Sequence, residues 1–197
     1  MSDAGGQIPE NVPDQEGSGS KHGLLWLVVE FVVTIGVAFL LAQAVRTWVI
    51  QPYEVPTGSM LPTIQLQDHV LANKFIYGFK TPARPDIIVL DDPTGQVGTL
   101  IKRVIAVGGD TVDLKNGKVV VDGAALDEPY TYGQPSEPLM GSNVRFPVKI
   151  PSDSVWVMGD NRTQSQDSRW FGPAKLSTVR GQAFFIYWPI GRFGVLK

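Results

Sequence analysis

The sequence predicts a mostly β protein: a single N-terminal transmembrane helix, then a β-rich domain that carries a smaller inserted β subdomain. Three observations predict it. One stretch, Leu24 to Ala44, is apolar over the length of ~20 residues that a helix needs to cross a bilayer. Beyond Ile50 the apolar residues come in short runs closed by Gly, Pro and Asp, the punctuation of strands and turns. No helical period of useful length follows the apolar stretch.

Residues 1–23 are polar and rich in Gly and Ser, with almost nothing to bury, and read as a disordered tail. Residues 24–49 read as a membrane anchor. Its one acidic residue is Glu30. A carboxylate at the bilayer centre costs ~2.5–3.5 kcal/mol, so Glu30 is expected near the interface or protonated, with the span shifted towards Val49. Trp26 and Trp48 then mark the two headgroup regions. The acidic start and the long apolar run favour a retained anchor over a cleaved signal peptide. Lys21 and Arg46 stand on opposite sides, so positive charge does not orient the span.

Residues 50–197 form the expected β domain. Runs at Asp86 to Leu90, Leu100 to Val107, Ser154 to Met158 and Gly181 to Tyr187 read as strands. Between Val112 and Val121, Asn116-Gly117 supplies the positive φ angles of a tight hairpin turn. About 113–153 reads as a smaller, cap-like subdomain. Its stretch Asp127 to Asn143, rich in Pro, Gly and Ser, reads as an excursion or flexible loop.

Composition removes several functions. The 197 residues carry a net charge of −2, which gives no basis for a nucleic-acid partner. There is no cysteine, hence no disulfide, thiol catalysis or cysteine-held zinc. The two histidines, His22 and His69, are too few for a histidine-rich metal site.

Ser59 stands in Val55-Pro56-Thr57-Gly58-Ser59-Met60-Leu61-Pro62-Thr63, where prolines stiffen both flanks and glycine permits a sharp presentation of the hydroxyl. A serine needs a base to become a nucleophile. His69 heads an apolar strand and reads as an ordinary strand residue. Lys102, inside Leu100-Ile101-Lys102-Arg103-Val104-Ile105, is the better candidate, because desolvation by apolar neighbours lowers a lysine pKa. The ordinary alternative is a lysine on the solvent face of a strand. A third feature, Gly159 to Arg169, packs Asp160, Arg162, Ser165, Asp167, Ser168 and Arg169 into a short span after a buried-looking strand. By composition alone it is a solvated turn. It also suits a fixed hydrogen-bond network that supports a site.

Together these segments resemble the bacterial type I signal peptidases, membrane-anchored Ser/Lys proteases of the signal peptidase/LexA-like β fold. The resemblance runs from about Glu30 to Pro189 and rests on ordered blocks: Pro56 to Thr63; Asp68-His69-Val70-Leu71-Ala72-Asn73-Lys74; Ile101-Lys102-Arg103-Val104 with Gly108-Gly109-Asp110; and Gly159-Asp160-Asn161-Arg162 through Arg169. It implies Ser59 as nucleophile and Lys102 as general base. It implies an oxyanion hole from the Thr57 hydroxyl and the Ser59 N–H. Ser165 would orient the lysine amine, Arg103 with Asp160 and Asp167 with Arg169 would form supporting ion pairs, and Val55 and Ile101 would line the pocket for a small residue before the cut. The departures are Thr57, where the family often has Ser, His69, where it often has Arg, and Thr163-Gln164, where it often has Asp-Asn. The implied partners are preprotein signal peptides cut after small-x-small motifs, and membrane lipid, with no metal or organic cofactor. The implied setting is the bacterial cytoplasmic membrane, single-pass, with the catalytic domain outside. Two rivals are a self-cleaving LexA-type repressor, opposed by the apolar span, and a non-catalytic anchored β domain that only binds exported chains, opposed by Ser59, Thr57 and Lys102 all being present.

Overall fold

The unbroken apolar run becomes an unbroken helix. In this computed structural model, which describes residues 20–196, α1 spans Ser20–Trp48, and its segment Gly23–Ala44 has a mean hydropathy of 2.6. Large apolar side chains are exposed all round it, from Leu24 to Leu41. A helix apolar on every side cannot sit comfortably in water, and this one is long enough to cross a membrane. Most of the expected tail, residues 1–19, and the side chains of Lys21, His22, Arg46 and Trp48 lie outside the described residues.

The rest is β. In chain order the strands are β1 (Ile50–Glu54), β2 (His69–Asn73), β3 (Ile87–Asp91), β4 (Thr99–Val107), β5 (Thr111–Lys115), β6 (Lys118–Val121), β7 (Ala124–Ala125), β8 (Val148–Lys149), β9 (Ser154–Met158), β10 (Ala174–Lys175), β11 (Val179–Trp188) and β12 (Gly194–Val195). All pair antiparallel, in two sheets. The larger is a half-barrel in the order β1-β2-β11-β3-β4-β9-β10, with β12 on β11; the smaller runs β7-β6-β5-β8. Asn116 and Gly117 take φ of 52° and 74° and turn β5 into β6, as their sequence predicts.

Three apolar clusters hold the domain. One, under β2, β3 and β11, includes Val55, Met60, Ile64, Val70 and Val89. A second joins the two sheets, with Ile105, Trp156 and Met158 against Val112, Val119 and Val121. The third, with Ile88, Leu90, Val104 and Val157, takes in half-buried Phe171. Strand β4 is central to all of this and is buried from Lys102 to Ala106. It pairs with β3 through Thr99–Arg103 but with β9 only from Arg103 onward. Among the described residues, Thr99 to Lys102 therefore have a strand neighbour on one side only.

Two local expectations change. The stretch from Asp127 to Asn143 is fastened rather than loose: Pro129–Thr131 form a 3₁₀ turn, Thr131 and Ser136 are buried, and the Glu128 carboxylate pairs with Arg162. Pro and Gly set its turns, while one buried ion pair pins it. The run up to Arg169 ends in a short helix, α2 (Ser168–Phe171), capped by the Asp167 carboxylate accepting from the Arg169 N–H.

Candidate active site

The turn that carries Ser59 leaves β1 and is nailed down on both sides. Val55 before it and Met60 after it are buried in the same apolar cluster. The Ser59 carbonyl accepts from the Asn161 N–H at 3.1 Å, and the Gly58 carbonyl from Asn161 Nδ2 at 2.9 Å. The segment has no room to drift. Gly159 is the reason it can lie so close: a Cβ there would collide with both the Ser59 carbonyl oxygen and Ser165 Oγ.

Lys102 Nζ donates to Ser59 Oγ at 2.6 Å. The lysine is 2% exposed, and no carboxylate pairs with it among the described residues. Burial pushes its pKa down to about 8; the more distant Asp167 and Asp160 pull upward, and Arg169 pushes further down. Thr57 Oγ1 lies 3.4 Å from Ser59 Oγ, and none of the turn's backbone hydrogen bonds uses the Ser59 N–H among the described residues. A cleft of about 260 Å³ opens beside these groups. Tyr53 to Thr57 form one wall and Val97 to Lys102 the other, with Val55 and Ile101 among the lining. Its second wall is the β4 edge that lacks a strand neighbour.

The polar run after β9 is largely interior, with only Thr163, Gln164 and Gln166 exposed among its residues. Asp160, Asp167, Ser168 and Arg169 are at most 1% exposed. Arg103 grips Asp160 with Nε at 2.8 Å and Nη2 at 2.7 Å, and Thr63 Oγ1 donates to the same carboxylate. Arg169 grips Asp167 with Nε and Nη2, both at 2.9 Å, and Asp167 also accepts from the Gly159 N–H at 3.0 Å. Buried charges persist only when paired and hydrogen-bonded in this way. Ser165 Oγ is buried and has no hydrogen-bond partner among the described residues, so the bond to the lysine that the resemblance implies is not formed here. His69 is half-buried, stacks edge-on against Tyr187 with ring centres 5.6 Å apart, and takes no part in lining the cleft. Trp170 and Phe171 are half-buried; the more exposed aromatics of the β domain are Phe75, Phe79, Tyr132, Trp188 and Phe193.

Sequence reasoning missed Arg162 with Glu128, a third buried ion pair at 2.6 Å. Arg162 was visible in the polar run, but its partner hid in a stretch whose composition says loop. It also missed the role of Asn161 in holding the serine turn. Among the described residues, no group of three His, Asp or Glu side chains converges as a metal site.

The family model described as Signal peptidase, peptidase S26 matches residues 28–188. The chain is similar to Signal peptidase I of Leptolyngbya laminosa, 36% identical over 177 residues that cover 86% of this chain and 84% of that protein. It is 33% identical to Signal peptidase I of Mycobacterium tuberculosis over 85% of this chain and 75% of that one. It is 30% identical to Thylakoidal processing peptidase 1, chloroplastic, of Arabidopsis thaliana, over 95% of this chain and 57% of that one.

Proposed function

The chain belongs to the signal peptidase family, peptidase S26, a family of serine endopeptidases that process signal peptides, and on that premise we propose that Ser59 is its nucleophile and Lys102 its general base. One observation carries the reading: a buried lysine amine, paired with no carboxylate among the described residues, 2.6 Å from a serine hydroxyl. With a pKa of about 8, the amine is neutral in roughly a tenth of molecules at pH 7. That is a usable fraction for a base, and its acidity is then near the operating pH, where a general base works best.

The steps follow from these atoms. Neutral Lys102 takes the Ser59 proton while Oγ attacks the scissile carbonyl. The oxyanion meets the Ser59 N–H and the Thr57 hydroxyl, fixed donors that need no reorganisation as charge develops. The lysine ammonium then gives its proton to the departing amine, and the acyl-enzyme is hydrolysed by a water that the same amine deprotonates. Ser165 Oγ, an unused acceptor packed beside Gly159, is assigned to holding the amine once Ser59 has bonded to substrate. The pairs Arg103–Asp160 and Arg169–Asp167 fix the loop that backs the serine.

The substrate side rests on the cleft. An extended peptide can lie along the unpaired β4 edge and add a strand, with Val55 and Ile101 shaping a shallow pocket for a small residue before the cut. Preproteins with small-x-small cleavage sites are the fitting substrates. The apolar α1 anchors the chain (residues 24–49) in the bacterial cytoplasmic membrane, with 50–197 outside it as the catalytic domain and 113–153 as its smaller subdomain. Anchoring keeps the site close to substrates that are themselves inserted.

The test is cleavage of a precursor ending in Ala-x-Ala by the detergent-solubilised full chain. Ser59→Ala and Lys102→Ala each abolish cleavage with the circular dichroism spectrum unchanged, while His69→Ala stays active. Normal cleavage by Lys102→Ala refutes the base assignment; loss of activity in His69→Ala returns the histidine to consideration.

A further inference from the structure

Buried polar contacts run from the small subdomain to the serine turn without a break. Glu128 and Tyr130 both come from the stretch that sequence composition reads as a loose excursion. The Glu128 carboxylate receives Arg162 Nη2 at 2.6 Å and Nη1 at 2.8 Å, and the Tyr130 hydroxyl at 2.9 Å. Ser136, nearby in the same stretch, also accepts from Arg162 Nη1. Arg162 Nε in turn donates to the Gly159 carbonyl at 3.0 Å. The Tyr130 ring lies under the Arg103 guanidinium, 4.0 Å from ring centre to carbon, and Arg162 stands 5.8 Å from the same ring.

Both arginines lead straight to the site. Arg103 follows Lys102 in β4 and holds Asp160. Arg162 follows Asn161, which holds the Ser59 and Gly58 carbonyls. A guanidinium over an aromatic face is attracted by the ring's quadrupole, more strongly when water is excluded. Arg162 is not exposed at its side chain and Glu128 only 8%. Losing one partner from such a pair leaves an uncompensated buried charge, which the loop relieves by moving.

We propose that Glu128 and Tyr130 are positioning residues for the cleavage reaction: the small subdomain uses them as a clamp on Arg162 and Arg103, and so sets the separation of Ser59 Oγ and Lys102 Nζ. The clamp rests on the Ser59–Lys102 reading above. It makes the subdomain part of the catalytic apparatus although none of these subdomain residues lines the cleft. The geometry is demanding, since misplacing reacting groups by about 1 Å costs up to ~10²-fold in rate. A released loop also lets water reach Lys102. Burial is the main cause of its lowered pKa, so rehydration moves that pKa upward.

The experiment measures kcat, KM and the pH dependence of kcat/KM for Glu128→Gln, Glu128→Ala and Tyr130→Phe in the detergent-solubilised full chain, each below its own melting temperature. Asp153→Ala, which breaks an exposed ion pair with Lys175, is the control. Glu128→Gln is expected to lower kcat by about tenfold, with KM within about twofold and the acid limb of the pH profile moved to higher pH. Tyr130→Phe is expected to move both in the same direction by less, and Asp153→Ala neither. If Glu128→Ala does not fold, Glu128→Gln decides by the same readouts. A Glu128→Gln enzyme with a lower melting temperature but unchanged kcat and acid limb overturns the clamp and leaves the dyad reading intact. A Lys102→Ala enzyme that still cleaves overturns the dyad whatever Glu128 does.

Discussion

Lys102 and Arg103 are consecutive residues of one strand, both cationic side chains, both no more than 2% exposed. Their surroundings divide them. Arg103 is gripped by the Asp160 carboxylate through two nitrogens, donates to the Pro85 carbonyl and stacks on Tyr130. Lys102 is given a serine hydroxyl and, among the described residues, no carboxylate. On the proposed reading, the difference teaches how one strand makes both a strut and a reagent. A guanidinium stays protonated under any burial, so the fold must supply its counter-charge. An amine can shed its proton, so withholding a counter-charge turns it into a base.

The sharpest way to break the contrast is to make the neighbours alike. Lys102→Arg keeps the charge and roughly the length but cannot deprotonate. Cleavage is expected to fall by about 10³-fold or more, and raising the pH should not restore it, since general-base assistance alone is worth ~10²–10⁴-fold. The wild type, in contrast, should gain activity about tenfold per pH unit below its lysine pKa of about 8 and level off above it. A flat wild-type profile between pH 6 and 9 would count against a titrating base. Next in size is the strut. Asp160→Ala strands the Arg103 charge in the interior and should cost about 3–5 kcal/mol in urea unfolding; a loss below about 1 kcal/mol, the range of exposed pairs, would mean that the grip is not structural.

The subtlest test concerns the cost of the reagent. The folded lysine has a pKa of about 8 against 10.5 as the ordinary value, so between those pH values the unfolded chain holds more proton than the native one. Native stability from this residue therefore rises with pH across that window, and the full penalty is present below about 8. Lys102→Met should stabilise the inactive protein at pH 7 by about 3 kcal/mol, with the gain shrinking towards pH 10.5. No gain at pH 7 would mean that water reaches the amine.

Much of this was legible beforehand, and the reasons are local. The Asn116-Gly117 turn, the runs of β3, β4 and β9, and the apolar α1 each follow from residues within a few positions of one another. The blocks around Ser59, Lys102 and Asp160 were legible as a pattern of spacing, which the family match over residues 28–188 bears out as kinship. What sequence could not decide is which side of β4 meets water. Alternation arguments assume one solvent face, and from Lys102 to Ala106 this strand has none. Nor could composition foresee that the charged residues of the polar run ending at Arg169 are interior. Each charge there is affordable only because of a partner near or far in the chain, as Asp160 with Arg103 and Arg162 with Glu128. The Glu128 pairing is the plainest case, because Pro, Gly and Ser around it speak of turns and are silent about a contact with residue 162.

The lone flank of β4 from Thr99 to Lys102 has a bearing on the order of events after bond scission. On the proposed Ser59 reading, a peptide laid there would be held by main-chain bonds on the side ahead of the cut, and the ester to Ser59 would tether the same half. The other half, bound by neither of these, would then be the first to leave. Water would then come in from the face the departing amine has just vacated, so the exit of one fragment would clear the approach for hydrolysis of the other.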